Sequence, residues 1–216
     1  MTAEAQTPSI SMGGHLYMQT NEIRNAVIHY RRGADGTLMD AHAVPTGGAG
    51  SGTFKPISGQ EDAPNAFEGA GSVIISPDHK FLFTTNGGDN SVSSFAIDDH
   101  GHLTLLDCKP TGNPIDGKSG TAKSLAYAAD SKTLYVLHSF GPDHLRIMTV
   151  NTDGTLMLRD DCHTANTADK DDRVPTMAVL APNGKFLIVG TTFDRPIARV
   201  GLYPDGSPIL WVPQED

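Results

Sequence analysis

Short apolar runs broken by tight polar turns recur along the chain, and the clearest instance lies between Gly71 and Leu105. There Ser72 to Ile75 leads into a turn at Pro77-Asp78, Phe81 to Thr85 into a Gly/Asn loop, and Ser91 to Ile97 into a turn around Gly101. A fourth run then starts at Leu103. Four such runs in one meander predict a small four-stranded antiparallel sheet.

The unit repeats. Lys80, Lys132 and Lys185 stand before the second run of successive copies, at steps of 132 − 80 = 52 and 185 − 132 = 53 residues. The turn glycines Gly36, Gly101, Gly154 and Gly206 give steps of 65, 53 and 52. The longer first step is filled by the tract Gly47 to Gly71, which carries seven glycines and is too long to be a plain spacer inside a compact sheet. The first copy begins near GHLYMQTNE and has no opening strand. A period near fifty with four strands per unit is the signature of propeller blades, each covering its faces against its neighbours. The expected fold is therefore all-β, a β-propeller of four-stranded antiparallel blades with about four blades present. They occupy residues 14–46, 71–110, 121–163 and 174–212, behind a flexible arm at residues 1–13. In the fourth copy Pro196, Pro204 and Pro208 fit poorly in central strands, so residues 196–216 read either as blade strands or as an inserted loop.

Turn lengths divide the blades into two rims. The first-to-second turns (SPDHK, AADSK, APNGK) and the third-to-fourth turns (ADG, DHG, TDG, PDG) are all tight, with Pro, Asp and Asn where such turns favour them. The second-to-third loops (NEIRN, NGGDN, HSFGPDH, TFDRP) and the blade-to-blade links are longer and polar. They share the opposite rim, where function is expected.

Composition narrows the setting. With 25 acidic and 16 basic residues the formal charge is −9, which disfavours a nucleic-acid groove or an anionic membrane surface as partner. The opening MTAEAQTPSISMGG has neither a basic start nor an apolar core, and no run approaches membrane-spanning length, so the chain reads as cytoplasmic. Cys108 and Cys162 fall seven and eight residues after their turn glycines. They are expected on the outer strands of adjacent blades, as free thiols.

The phrases TNEIRNAVIHYRRGADGTL, SPDHKFLFTTNGGDNSVSSFAID and ADSKTLYVLHS resemble the lactonase family of seven-bladed propellers, which includes bacterial 6-phosphogluconolactonases and fungal carboxymuconate-cyclising enzymes. The likeness runs over residues 14–195 and rests on blade-building residues, so no catalytic residue of the family is carried over. It implies a hydrolase acting on a small-molecule sugar or organic-acid lactone; a non-catalytic propeller that binds a partner is the alternative. The family has about seven copies and this chain has at most four. An open arc would leave two blade faces uncovered, and an apolar patch of roughly 300–600 Å² at about 25 cal/mol per Å² is on the order of 8–15 kcal/mol per face. Three outcomes follow: a fragment of a longer propeller, self-association of arcs through those faces, or closure as a four-bladed ring.

Opening a lactone requires a water activated near neutral pH and a donor for the oxyanion, and a phosphorylated substrate also requires a cationic clamp. Position on the looped rim nominates His138 and His144 as acid or base and Glu22 as the group that orients one of them or the water. Arg24, Asp89 and Arg195 are nominated for substrate binding. Each histidine has the competing reading of a loop residue satisfied by the backbone. No cofactor and no metal is expected: HExxH, CxxC and phosphate-loop motifs are absent, and DDHGH (98–102) coincides with the turn TDGT of the next copy.

Overall fold

A computed structural model of the protein describes residues 12–50, 71–113, 122–140, 143–166, 173–192 and 198–213. Every regular element among them is a strand. The first sheet has three strands, β1 (Met12–Gln19), β2 (Ala26–Gly33) and β3 (Leu38–Pro45). The second has four, β4 (Val73–Ile75), β5 (Phe81–Asn86), β6 (Ser91–Ile97) and β7 (Leu103–Pro110). The third comprises β8 (Ala122–Ala128), β9 (Thr133–His138), β10 (Leu145–Val150) and β11 (Leu156–His163). The fourth comprises β12 (Val174–Leu180), β13 (Phe186–Thr192), β14 (Ala198–Leu202) and β15 (Pro208–Pro213). Each sheet is a plain antiparallel meander in chain order. Residues 198–213 are thus blade strands and not an inserted loop. Pro208 and Pro213 are tolerated because they stand at the ends of the last strand, β15, where a missing N–H leaves no ladder gap. The expected arm falls outside the described residues except for Met12 and Gly13, which open β1.

Sheets rather than single strands are the packing unit. In β9 all six residues are buried, because alternate side chains point to opposite neighbours. Leu134 and Val136 join Phe83 and Val92 of the second sheet, while Tyr135 and Leu137 join Ala178, Leu187 and Val189 of the fourth. β5 divides in the same way: Leu82 packs with Val27 of the first sheet and Phe83 with the third. Three apolar layers, one at each sheet-to-sheet junction, therefore replace a single central core.

The array is an open arc and not a closed four-bladed ring. Leu16 and Met18 on β1, and Met177, Val179 and Ile188 on β12 and β13, are between 36% and 46% exposed. They occupy the outward faces of the first and last sheets. Elsewhere in the array the same apolar alternation is buried on both sides, so these two faces carry the pattern of a covered blade without the cover.

The tight turns follow one chemistry. Asp35, Asp78, Asp98, Asp153 and Asp205 each accept a backbone N–H two residues ahead, from Thr37, Lys80, His100, Thr155 and Ser207. Hydrogen bonds hold all five aspartates below their ordinary pKa, led by the hydroxyls of Ser76, Thr155 and Ser207 at Asp78, Asp153 and Asp205, by the Thr37 amide at Asp35, and by the His102 amide at Asp98, which lies at about 2. Cys108 on β7 and Cys162 on β11 lie on the outermost strands of neighbouring sheets as free thiols.

Candidate functional site

Two sets of clasps join neighbouring sheets, one on each rim. On the tight-turn rim the Tyr17 hydroxyl donates to the carbonyl of Gly101 at 2.7 Å, and the Tyr135 hydroxyl donates to that of Gly206 at 2.5 Å. The turn glycine leaves its carbonyl approachable from the preceding blade. Phe83 holds the equivalent place on β5 and has no hydroxyl to donate, so this clasp is missing between the second and third sheets.

On the looped rim a buried threonine just after the outer strand of the first and of the second sheet reaches the next sheet. Thr46 Oγ1 donates to Asn86 Oδ1 at 2.7 Å, and one repeat later Thr111 Oγ1 lies 2.9 Å from His138 Nε2. The threonine carbonyl is held as well: Ser93 Oγ donates to Thr46 O at 2.7 Å and Arg146 Nε to Thr111 O at 3.0 Å. His138 thus stands where Asn86 stands, and Arg146 where Ser93 stands.

Strand register extends the comparison. The pairs Asn86↔Ser91 and Thr85↔Val92 of the second sheet correspond in the third to His138 paired with His144 and to Leu137↔Leu145. A β-bulge between Ala122 and Ser124 makes Lys123 an extra residue on the inner strand, at the place held by Gly71 in the second sheet and Thr176 in the fourth. At four matched places the second sheet therefore carries Gly71, Asn86, Ser91 and Ser93, and the third carries Lys123, His138, His144 and Arg146. One blade rim has become basic where its neighbour is neutral. Arg173, at the entry to β12, adds a further cation and donates to the carbonyl of Ala165 at 3.0 Å. Among the described ion pairs Asp143 is the carboxylate that meets this group, 3.2 Å from Arg146.

Burial fixes the protonation of this rim. His138 is fully enclosed, and burial, with the positive charge of Arg146 adding to it, pushes its pKa down to about 3. His144 is buried too and is pushed down to about 4. Its tautomer follows from geometry: the amide of Ala165 can only donate, and does so to His144 Nδ1 at 3.0 Å, so the ring proton sits on Nε2. At neutral pH both rings are uncharged. Lys123 is also buried, so its amino group lies beneath the rim. Its signal in the sequence was its place in the repeat, since a lysine where the other blades have Gly71 and Thr176 departs from the pattern.

The structure brings some of the nominated residues together and separates others. His138 and His144 are neighbours, with His138 N donating to His144 O at 2.7 Å, yet one ring turns to Thr111 of the preceding sheet and the other to Thr164 and Ala165. His138 therefore sits in a structural clasp and has no access to bulk water. Glu22, Arg24 and Asp89 are exposed on loops of the first two sheets. Asp89 accepts from Ala49 N at 2.8 Å and Ser91 Oγ at 2.7 Å, and Glu22 O accepts from Gly50 N at 2.8 Å. The segment Gly48–Gly50 thus stitches the two loops, and only glycine suits position 88 beside it, where a Cβ would lie 2.1 Å from the carbonyl oxygen of Gly50. Arg195 lies outside the described residues. Among the described residues no group of three or more His, Cys, Asp or Glu is arranged to hold a metal ion.

Residues 10–115 match the family Lactonase, 7-bladed beta-propeller. The match covers 106 of the 216 residues, just under half of the chain. The matched span covers the first two sheets, whereas the basic rim lies just beyond it on the third. Solved structures extend the likeness in fold across nearly the whole chain. A Lactobacillus plantarum protein is 20% identical with a TM-score of 0.63, over 94% of this chain and 55% of its own. A candidate 6-phosphogluconolactonase of Bacteroides uniformis is 18% identical with a TM-score of 0.62, over 96% and 56%. The periplasmic gluconolactonase of Pseudomonas aeruginosa is 16% identical with a TM-score of 0.52, over 93% and 68%. The chain thus spans about half the length of the first two. Among curated proteins nothing matches the chain.

Proposed function

We propose that this chain supplies part of the looped rim of a propeller lactonase that hydrolyses a sugar or organic-acid lactone bearing an anionic substituent, such as 6-phosphogluconolactone. The observation that carries the reading is the lactonase-family match of residues 10–115. The replacement of the neutral Gly71 and Ser93 of the second sheet by Lys123 and Arg146 in the third supports an anionic substrate, since these basic residues gather on one blade of a chain of formal charge −9. In this reading Arg24, exposed on the looped rim, is the cation for the anionic group, as the sequence also nominates Arg195, and Lys123 and Arg146 stand beneath that rim as supporting basic residues. His144, buried, neutral and protonated on Nε2, is a positioning residue rather than a base. Glu22, an exposed carboxylate, activates or orients the water, and Asp89 shapes the adjoining loop. His138 acts as a positioning residue that fixes β9 against the preceding blade. Two free thiols suit a cytoplasmic setting.

The test is hydrolysis of 6-phosphogluconolactone and of gluconolactone, measured by proton release above the spontaneous rate with the intact protein that contains this chain. The phosphorylated lactone is expected to be turned over faster, and Arg24→Met is expected to raise its KM about tenfold while leaving gluconolactone unaffected. Equal turnover of the two lactones with no effect of Arg24→Met would refute the anionic assignment. Binding of 6-phosphogluconate without hydrolysis would establish the non-catalytic alternative instead.

A further inference from the structure

Five of the nine histidines meet at the opposite, tight-turn rim, between the first and second sheets. His15 Nδ1 on β1 lies 2.9 Å from His29 Nε2 on β2. The His29 ring stacks on Tyr17 at 5.1 Å and meets His102 of the second sheet edge-on at 5.9 Å, and His102 lies 6.0 Å from His100. His42 on β3 is the cross-strand partner of His29 and lines a surface cavity with it, together with Arg31, Asp40 and His102. His15 also sits directly on the Cα of Gly101, where a Cβ would be 2.4 Å from its Nδ1. The rings therefore form part of the junction between the two sheets, beside the clasp of Tyr17 on Gly101.

We propose that this histidine cluster is an acid-sensitive latch, which holds the first blade to the second near neutral pH and releases that rim on mild acidification. A nitrogen-to-nitrogen bond between two imidazoles requires one donor and one acceptor, so His15 and His29 cannot both be protonated while it is kept. His29 is buried, and imidazoles approach it from three elements: His15 from β1, His42 from β3 and His102 from the hairpin of the second sheet. Arg31, on its own strand, is already paired with Asp40. Asp98, bonded to His102 at 3.0 Å and ionised down to about pH 2, is the opposing charge, but it is solvated and already engaged by the amides of His100 and His102. Burial and the neighbouring histidines accordingly lower the pKa of His29. The looped rim of the same junction is held by Asn25, Thr46, Asn86 and Ser93, none of which titrates between pH 4 and 8. Acid therefore opens one rim and spares the other.

The experiment is amide hydrogen exchange on the full protein at pH 7 and pH 5, corrected for the intrinsic rate, comparing Tyr17, Met18 and Ile28 with Leu82 and Thr85 on the second sheet. One proton taken up only on opening, with a free imidazole pKa near 6.5, predicts about tenfold or greater loss of protection in β1 and β2 relative to β5 between these pH values. In His29→Gln, where an amide takes the place of the imidazole, that relative loss should vanish. If this variant does not fold, His15→Gln tests the same bond. Equal loss in the wild type and the folded variant, or no loss in β1 relative to β5, would overturn the proposal.

Discussion

His138 gives the sharpest test, because the repeat itself supplies the control. Asn86 occupies the matched place one blade earlier and receives the same threonine hydroxyl, at 2.7 Å against 2.9 Å for His138. His138→Asn should therefore keep the clasp, whereas His138→Ala removes a fully buried ring and leaves Thr111 Oγ1 without its partner on β9. Loss of the ring and the cavity it leaves costs about 2–4 kcal/mol, and the stranded hydroxyl about 1 kcal/mol more. The Asn variant, with a smaller void and the bond retained, should lose about 1–2 kcal/mol. Urea denaturation at pH 7.5 reads the difference as an Ala midpoint well below the Asn midpoint at similar m-values. The pH dependence is a second readout. The folded ring stays neutral down to about pH 3, while the unfolded ring titrates near 6.5, so the unfolded state binds the extra proton. The stability due to this depressed pKa is complete above pH 6.5 and declines by about 1.4 kcal/mol for each unit below it, until the folded pKa is reached. His138→Asn lacks that slope, so wild type and variant should converge in stability between pH 7.5 and pH 5.5. If Asn were as damaging as Ala, or if the two pH profiles ran parallel, the reading of His138 as a neutral structural clasp would be wrong.

Other consequences follow from the same contacts. Gly88→Ala places a methyl 2.1 Å from a backbone oxygen that cannot yield cheaply, and should cost about 2–3 kcal/mol, seen as a lower Tm, through separation of the first two looped-rim loops. Tyr135→Phe removes the hydroxyl that reaches Gly206 O and should cost about 1 kcal/mol in urea melts; Phe83, which manages without it one blade earlier, shows that the ring alone packs. Val179→Lys and Leu16→Lys should each leave stability within about 0.5 kcal/mol, because both side chains already face solvent. A loss above about 2 kcal/mol in either would mean that the face is covered in solution.

Periodicity made the blades legible before any coordinates. A step of 52 or 53 between Lys80, Lys132 and Lys185, together with Asp-Gly turns, fixed which runs pair, and the missing opening strand of the first copy appears as a three-stranded sheet. Turn chemistry also separated the two rims, since tight Pro, Asp and Asn turns and long polar links cannot share one edge of a meander. What the alternation could not show is which partner each side chain meets. His138 and His144 are both rim residues by position, and sequence reasoning set them side by side as acid and base. Their rings diverge in space, and burial keeps both neutral. Lys123 escaped notice for a related reason: a β-bulge shifts it out of the plain alternation, and its meaning appears only when its place is matched to Gly71 and Thr176 through the strand register.

The amino-acid sequence by itself determined the strands, their order within each sheet and the division into a trimmed rim and a looped rim, because these depend on residues a few places apart. Only the tertiary structure decided that the arc stays open, that a basic cluster gathers on one blade, and that His15, His29 and His102 come together across more than seventy residues of chain. Those features arise where one sheet faces another, and nothing local in the chain encodes the distance between two surfaces that must first be brought into contact.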